Sequence, residues 1–128
     1  MILADDESEL RNLFSKILKI HGYDVAIVAK SGEEVVRLAR DGKLNEVEIA
    51  IFDYSMGAVN GLEAGIEAAK SNGRLRIIID SANYEIADKA TEQGFVFLRK
   101  PFLQNELLNL LDSIQRETHG RLDIPQTH

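Results

Sequence analysis

Short apolar runs alternate along the chain with longer segments in which apolar residues recur every three to four positions. ILA (2–4), DVAIV (24–28), VEIAIF (47–52), RIII (76–79) and FVFL (95–98) read as strands. Between and after them lie helical patterns. ESELRNLFSKILKIH carries Leu10, Leu13, Phe14, Ile17 and Leu18 at helical spacing, and SGEEVVRLARDG places Val35, Val36, Leu38 and Ala39 on one side. GLEAGIEAAKSNG, NYEIADKATEQG and LQNELLNLLDSIQRE complete the alternation, giving five βα units. Gly22, Gly42, Gly73 and Gly94 each fall between a helix and the next strand, where a left-handed residue ends a helix.

Near-continuous apolar strands separated by helices predict a parallel sheet covered on both faces. Right-handed crossovers favour a doubly wound α/β fold of five strands in the order 2-1-3-4-5 with five helices, the flavodoxin-like topology. Only four residues precede Asp5, fewer than the five or six expected of a central strand, so the chain starts upstream of Met1 or the strand begins late. Residues 1–116 form the predicted domain. THGRLDIPQTH and the residue before it (117–128) read as a polar tail or the start of a linker.

A chain of 128 residues, 45% hydrophobic, can bury one core without metal or disulfide support. It has no cysteine, which excludes a disulfide framework and thiolate chemistry and is compatible with the cytoplasm. No apolar run approaches a membrane span. A net charge of −6 with scattered Lys and Arg argues against direct nucleic-acid binding. The motif GxxxxGK[ST] is absent, which excludes a P-loop ATPase.

The candidate chemistry sits at the strand ends. The first strand runs into Asp5 and Asp6, the third ends in Asp53, the fourth in Ser81 after Asp80, and the fifth in Lys100-Pro101. In the order 2-1-3-4-5 these ends are lateral neighbours, at the edge where such sheets bind ligands. Asp6 also suits the N-cap of the first helix with Glu9 closing a capping box, and Glu7 complements the helix dipole. Carboxylates gathered in one pocket repel unless a cation neutralises them, and a hard divalent ion suits oxygen ligands. Acids, metal, an ammonium and a hydroxyl are what a transferring phosphoryl group needs. With no other nucleophile in view, Asp53 is the candidate acceptor, forming an aspartyl phosphate.

ILADDE, IFDYSMGAVNG, IIIDSA and RKPF, each on the appropriate element, resemble the receiver domain of two-component response regulators of the chemotaxis-regulator type, over roughly residues 1–116. The resemblance implies a phosphorylation-dependent signalling switch, not a classical enzyme, that assists its own phosphotransfer and autodephosphorylation. Asp53 is then similar to the phosphoacceptor, with Asp5, Asp6, Asp53 and the Ser55 backbone carbonyl binding Mg²⁺. Lys100 would pair with the phosphoryl group, Ser81 would take the place of the switch hydroxyl, and Phe97 that of the switch aromatic. The Lys100–Pro101 bond is expected to be cis. Expected partners are a sensor histidine kinase or a histidine phosphotransfer protein and a downstream target or effector domain, read through the surface of the fourth helix, fifth strand and fifth helix. A homodimer through those helices is compatible with this reading. The alternative is a phosphorylation-independent pseudo-receiver, a protein-interaction module. A flavodoxin-like cofactor site is disfavoured because DDE would repel a phosphate.

Two positions depart from the family pattern. Gly57 stands where proline is common, which predicts a more mobile loop. Asp80 stands where an apolar residue is usual, and strand alternation relative to Ser81 sends it away from the pocket as a solvated or hydrogen-bonded acid, the alternatives being a role in tuning the site or in weakening the switch. Ser55 and Asn83 are small and polar where water approaches the phosphoryl group, which predicts a short-lived phosphoform. His21, His119 and His128 lack metal-ligand spacing, and Tyr84, Met56, Leu107, Leu111 and Ile114 are assigned to packing, with Tyr84 bordering the output face.

Overall fold

A computed structural model describes the backbone of residues 1–127 and the side chains of residues 1–117. Its elements are β1 (Ile2–Ala4), α1 (Ser8–Ile20), β2 (Ile27–Ala29), α2 (Gly32–Arg40), β3 (Ile49–Asp53), α3 (Gly61–Ser71), β4 (Arg76–Ser81), α4 (Ile86–Glu92), β5 (Val96–Arg99) and α5 (Gln104–Thr127). The strands pair in parallel in the order β2-β1-β3-β4-β5, as the alternation of patterns predicts. No helix of the described residues is long and apolar enough to cross a membrane.

Period-two alternation divides the strand residues between two cores. Ile2, Ala4, Ala50, Phe52, Ile77 and Ile79 pack with Val35, Ala39, Ala64, Ala68 and Ala90 of α2, α3 and α4. Leu3, Ile49, Ile51, Ile78 and Leu98 pack with Leu18 of α1 and with Leu107, Leu111 and Ile114 of α5. The apolar stripe expected in the last helix is therefore core, and Met56 is buried as loop packing. This parity decides which strand-end side chains can meet.

The helix ends depart from expectation in places. Gly22, Gly42 and Gly94 have positive φ, whereas Gly73 does not. α3 instead ends at Asn72 in extended backbone, and the buried Asn72 amide donates to the Leu44 and Val47 carbonyls at 2.9 Å each. Asp6 is not the N-cap of α1: that position is Glu7, without a side-chain cap bond, and the Asp5 carboxylate accepts the Glu7 N–H at 2.9 Å. Beyond residue 116 the α5 backbone is helical to Thr127. His119 and His128 lie outside the described side chains, and the His21 ring Nδ1–H donates to the Ile17 carbonyl at 2.9 Å.

Candidate functional site

The carboxyl ends of β1, β3, β4 and β5 converge. Asp5 and Asp53 are buried and Asp6 is exposed, yet one carboxylate oxygen from each lies within 4.8 Å of the others. Lys100, from the turn after β5, donates from Nζ to Asp53 Oδ1 at 3.0 Å and stands 4.0 Å from Asp5 Oδ2. The Lys100–Pro101 peptide bond is cis, as the resemblance implied.

Asp80 also enters this pocket, against expectation. Its Oδ1 is 3.3 Å from Lys100 Nζ, and the residue is 2% exposed. Lateral pairing supplies the physical reason. In the sheet Asp53 pairs with Asp80, and Asp80 with Leu98, so all three side chains share a face. Asp5 and Lys100 fall on that same face, two residues beyond Leu3 and Leu98. Counting alternation from Ser81 assigned Asp80 to the wrong side; counting from the apolar pairs Ile51 and Ile78 places it correctly.

Ser81 is buried, on the opposite parity, and its Oγ accepts the Asn83 N–H at 3.0 Å. Ser55 is exposed in the loop two residues beyond Asp53. Phe97 lies outside the acid cluster: half-buried, it packs edge-on against Tyr84 with ring centroids 6.1 Å apart, and the Arg99 guanidinium covers Tyr84 at 4.9 Å. Gly57 has φ of +92°, a left-handed conformation that proline, fixed near −65°, cannot adopt.

Local backbone contacts hold the acids in place. Gly61, the first residue of α3, packs so closely on the Asp53 carbonyl that a Cβ there would lie 2.4 Å from the oxygen. Arg11 donates from its guanidinium to the Asp5 carbonyl at 2.8 Å, tying α1 to the end of β1. Neither contact was legible in the motifs, because both depend on distances between elements.

Burial sets the electrostatics. It pushes Asp80 up to about 7, with the Lys100 charge opposing and the Asp53 charge reinforcing the shift. Asp5 is raised, first by burial, while the Glu7 N–H pulls the other way. Lys100 is held above its ordinary range: burial of the ammonium opposes this and is outweighed by the Asp80 charge, then by the bond to Asp53. Asp80 Oδ1 is buried without a hydrogen bond, its contact with Lys100 being an ion pair off the hydrogen-bonding direction. A hard oxygen-ligated cation fits this surplus of carboxylate, and Mg²⁺ takes such donors with waters completing its shell.

A five-stranded parallel sheet with an acidic cluster and a lysine at its carboxyl edge defines a signalling receiver. Residues 1–112 match the family profile of the response regulator receiver domain, and the chain belongs to that family. It is similar to the chemotaxis protein CheY of Thermotoga maritima, 27% identical over 119 residues that cover 91% of this chain and 97% of that protein. It is 25% identical to the transcriptional regulatory protein PdtaR of Mycobacterium tuberculosis, covering 88% of this chain and 54% of PdtaR. The chain likewise spans about half the length of the VirG and UvrY regulators it matches. Among solved structures, a receiver domain protein from Clostridium thermocellum superposes with a TM-score of 0.78 at 26% identity, covering 91% of this chain and 94% of its own. The CheX–CheY–BeF₃–Mg²⁺ complex from Borrelia burgdorferi, at 21% identity and a TM-score of 0.78, shares the fold over 88% of this chain and 86% of its own. Receiver domains as a family are signalling phosphoacceptors rather than classical enzymes.

Proposed function

We propose that this receiver is a phosphorylation-dependent switch in which Asp53 accepts a phosphoryl group from the phosphohistidine of a sensor kinase or phosphotransfer protein. The observation that carries the reading is the hydrogen bond of Lys100 Nζ to Asp53 Oδ1 at 3.0 Å, beside the Asp5, Asp6 and Asp53 oxygens. Asp5, Asp6, Asp53 and the Ser55 carbonyl would hold Mg²⁺, which when bound supplies positive charge to the phosphoryl oxygens.

An Asp53 carboxylate oxygen attacks phosphorus in line, forming the acyl phosphate bond as the phosphorus–nitrogen bond breaks. The electron pair leaves on the imidazole nitrogen, which gains a proton from solvent. Lys100 neutralises a phosphoryl oxygen that it can reach without leaving Asp53. Ser81 Oγ already accepts the Asn83 N–H, so its own proton is available to the phosphoryl group. Drawing Ser81 inward moves the loop that carries Tyr84, against which Phe97 packs, and so biases the surface of α4, β5 and α5.

That surface would meet a downstream protein or an effector domain joined through residues 117–128, with domain 1–116 as the receiver and homodimerisation through α4 and α5 a further use of it. The setting is cytoplasmic, without direct nucleic-acid or membrane contact. Small polar Ser55 and Asn83 leave water access to the phosphoryl group, so the phosphoform hydrolyses readily. The second reading, a phosphate-independent interaction module, is favoured by one observation: Asp80 competes for Lys100.

Acetyl phosphate with Mg²⁺, read by intact mass on wild type and Asp53→Asn, tests the proposal. The expected result is one phosphoryl adduct that requires Mg²⁺ and is lost in the variant. An unlabelled wild type that also fails to bind Mg²⁺ would favour the interaction module.

A further inference from the structure

Asp80 places a buried carboxylate on β4, between the Asp53 strand and the β5 end that carries Lys100, at a position where the family pattern is apolar. Lys100 Nζ is shared unequally: 3.0 Å to Asp53, 3.3 Å to Asp80 and 4.0 Å to Asp5. One ammonium therefore answers three buried carboxylates, with exposed Asp6 as a fourth acid nearby. The Asp80 side chain is 3% exposed, so water does little to screen it. Its Oδ1 has no hydrogen bond to compensate for burial, so its interaction with Lys100 is the contact that keeps it there.

We infer that Asp80 is a positioning residue that acts through Lys100 and gives the pocket two opposed preferences: weaker retention of a phosphoryl group and stronger retention of a divalent cation. The inference rests on the reading of Asp53 as phosphoacceptor. Phosphorylation replaces a singly charged carboxylate with a group of nearly two negative charges, beside an Asp80 that adds one more. Lys100 must then redirect N–H groups toward the new anion and away from Asp80, which leaves a buried acid less well compensated. For a divalent cation near Asp5 and Asp53 the sign reverses, because a fourth carboxylate adds attraction. A residue that merely fills space would not move the two affinities in opposite directions.

The test measures two equilibria by nuclear magnetic resonance titration in wild type, Asp80→Asn, Asp80→Val and Asp53→Asn. The first is Mg²⁺ alone, and the second is beryllofluoride, a phosphoryl stand-in, at saturating Mg²⁺. A buffer near pH 8.5 lies above the range of Asp80, which titrates at about 7, so its carboxylate is charged. The expected result is beryllofluoride binding about tenfold tighter in both Asp80 variants, the scale of one charge-assisted bond redirected, with Mg²⁺ binding several-fold weaker. Unchanged or weaker beryllofluoride binding in Asp80→Asn, or both affinities moving the same way, overturns the inference. Asp80→Asn keeps the shape of the side chain and decides the matter if Asp80→Val misfolds. If wild type and Asp53→Asn respond alike to beryllofluoride, the acceptor reading itself falls. If only Asp53→Asn loses the response while the Asp80 variants match wild type, that reading stands and the role of Asp80 does not.

Discussion

Raising the pH of the metal-free protein is expected to weaken it, and Asp80 is the principal cause. The ordinary value for an aspartate is 3.8, and burial brings Asp80 to about 7 in the fold. Below about pH 4 the carboxyl is neutral in both folded and unfolded chains, and it imposes no penalty. Above about 7 the folded state must hold it ionised, facing Lys100 on one side and the like charges of Asp53 and Asp5 on the other. The interval corresponds to about 4 kcal/mol lost as the pH rises through it, and about 2 kcal/mol of that falls between roughly pH 5.5 and 8. Asp5 is raised too and adds to the same slope. Urea unfolding followed by circular dichroism, with a chelator present, measures it. Asp80→Asn should flatten most of the dependence and be the more stable protein at pH 8, and added Mg²⁺ should flatten that of the wild type. Equal slopes in the two proteins, or a wild type that gains stability toward pH 8, would refute the reasoning.

Three further outcomes follow from contacts described above. Asn72→Ala removes an amide that satisfies two buried carbonyls, and is expected to cost about 3 kcal/mol in denaturant unfolding. Gly61→Ala drives a methyl into the Asp53 carbonyl, so the acceptor shifts and the initial rate of labelling by acetyl phosphate should fall about tenfold or more. Gly57→Pro, the residue common in the family at this position, cannot adopt φ of +92° and should destabilise the chain by about 1 kcal/mol or more, read as a lower unfolding midpoint.

The sheet was legible because its strands are apolar on both faces, and a chain whose strands alternate with amphipathic helices has few topologies open to it. Strand limits were less so: β2 is confined to Ile27–Ala29, although the β-branched run begins at Val25. β-Propensity does not say where lateral pairing starts. The convergence of Asp5, Asp53 and Lys100 followed from strand order alone. Asp80 was misassigned because one wrong parity reference turns a side chain to the other face, and Ser81 at the strand end was a poor reference. Asp6 and Gly73 each matched a helix-end preference, and in each case a neighbour performed the task. Asp5 bonds the Glu7 N–H, and Asn72 ends α3 with contacts some 25 to 28 residues away in sequence.

The edge-on contact of Phe97 with Tyr84, under Arg99, also bears on what light can report about this molecule. The chain has no tryptophan and three tyrosines, so its near-ultraviolet emission comes from Tyr23, Tyr54 and Tyr84. Tyr54 follows Asp53 directly, and its hydroxyl accepts a bond from Asn60 at the start of α3. Tyr84 follows the β4 end by three residues, beneath the Arg99 guanidinium. Two of the three fluorophores therefore lie on the loops that leave β3 and β4 at the pocket's edge, and the unlabelled protein can be followed optically from both.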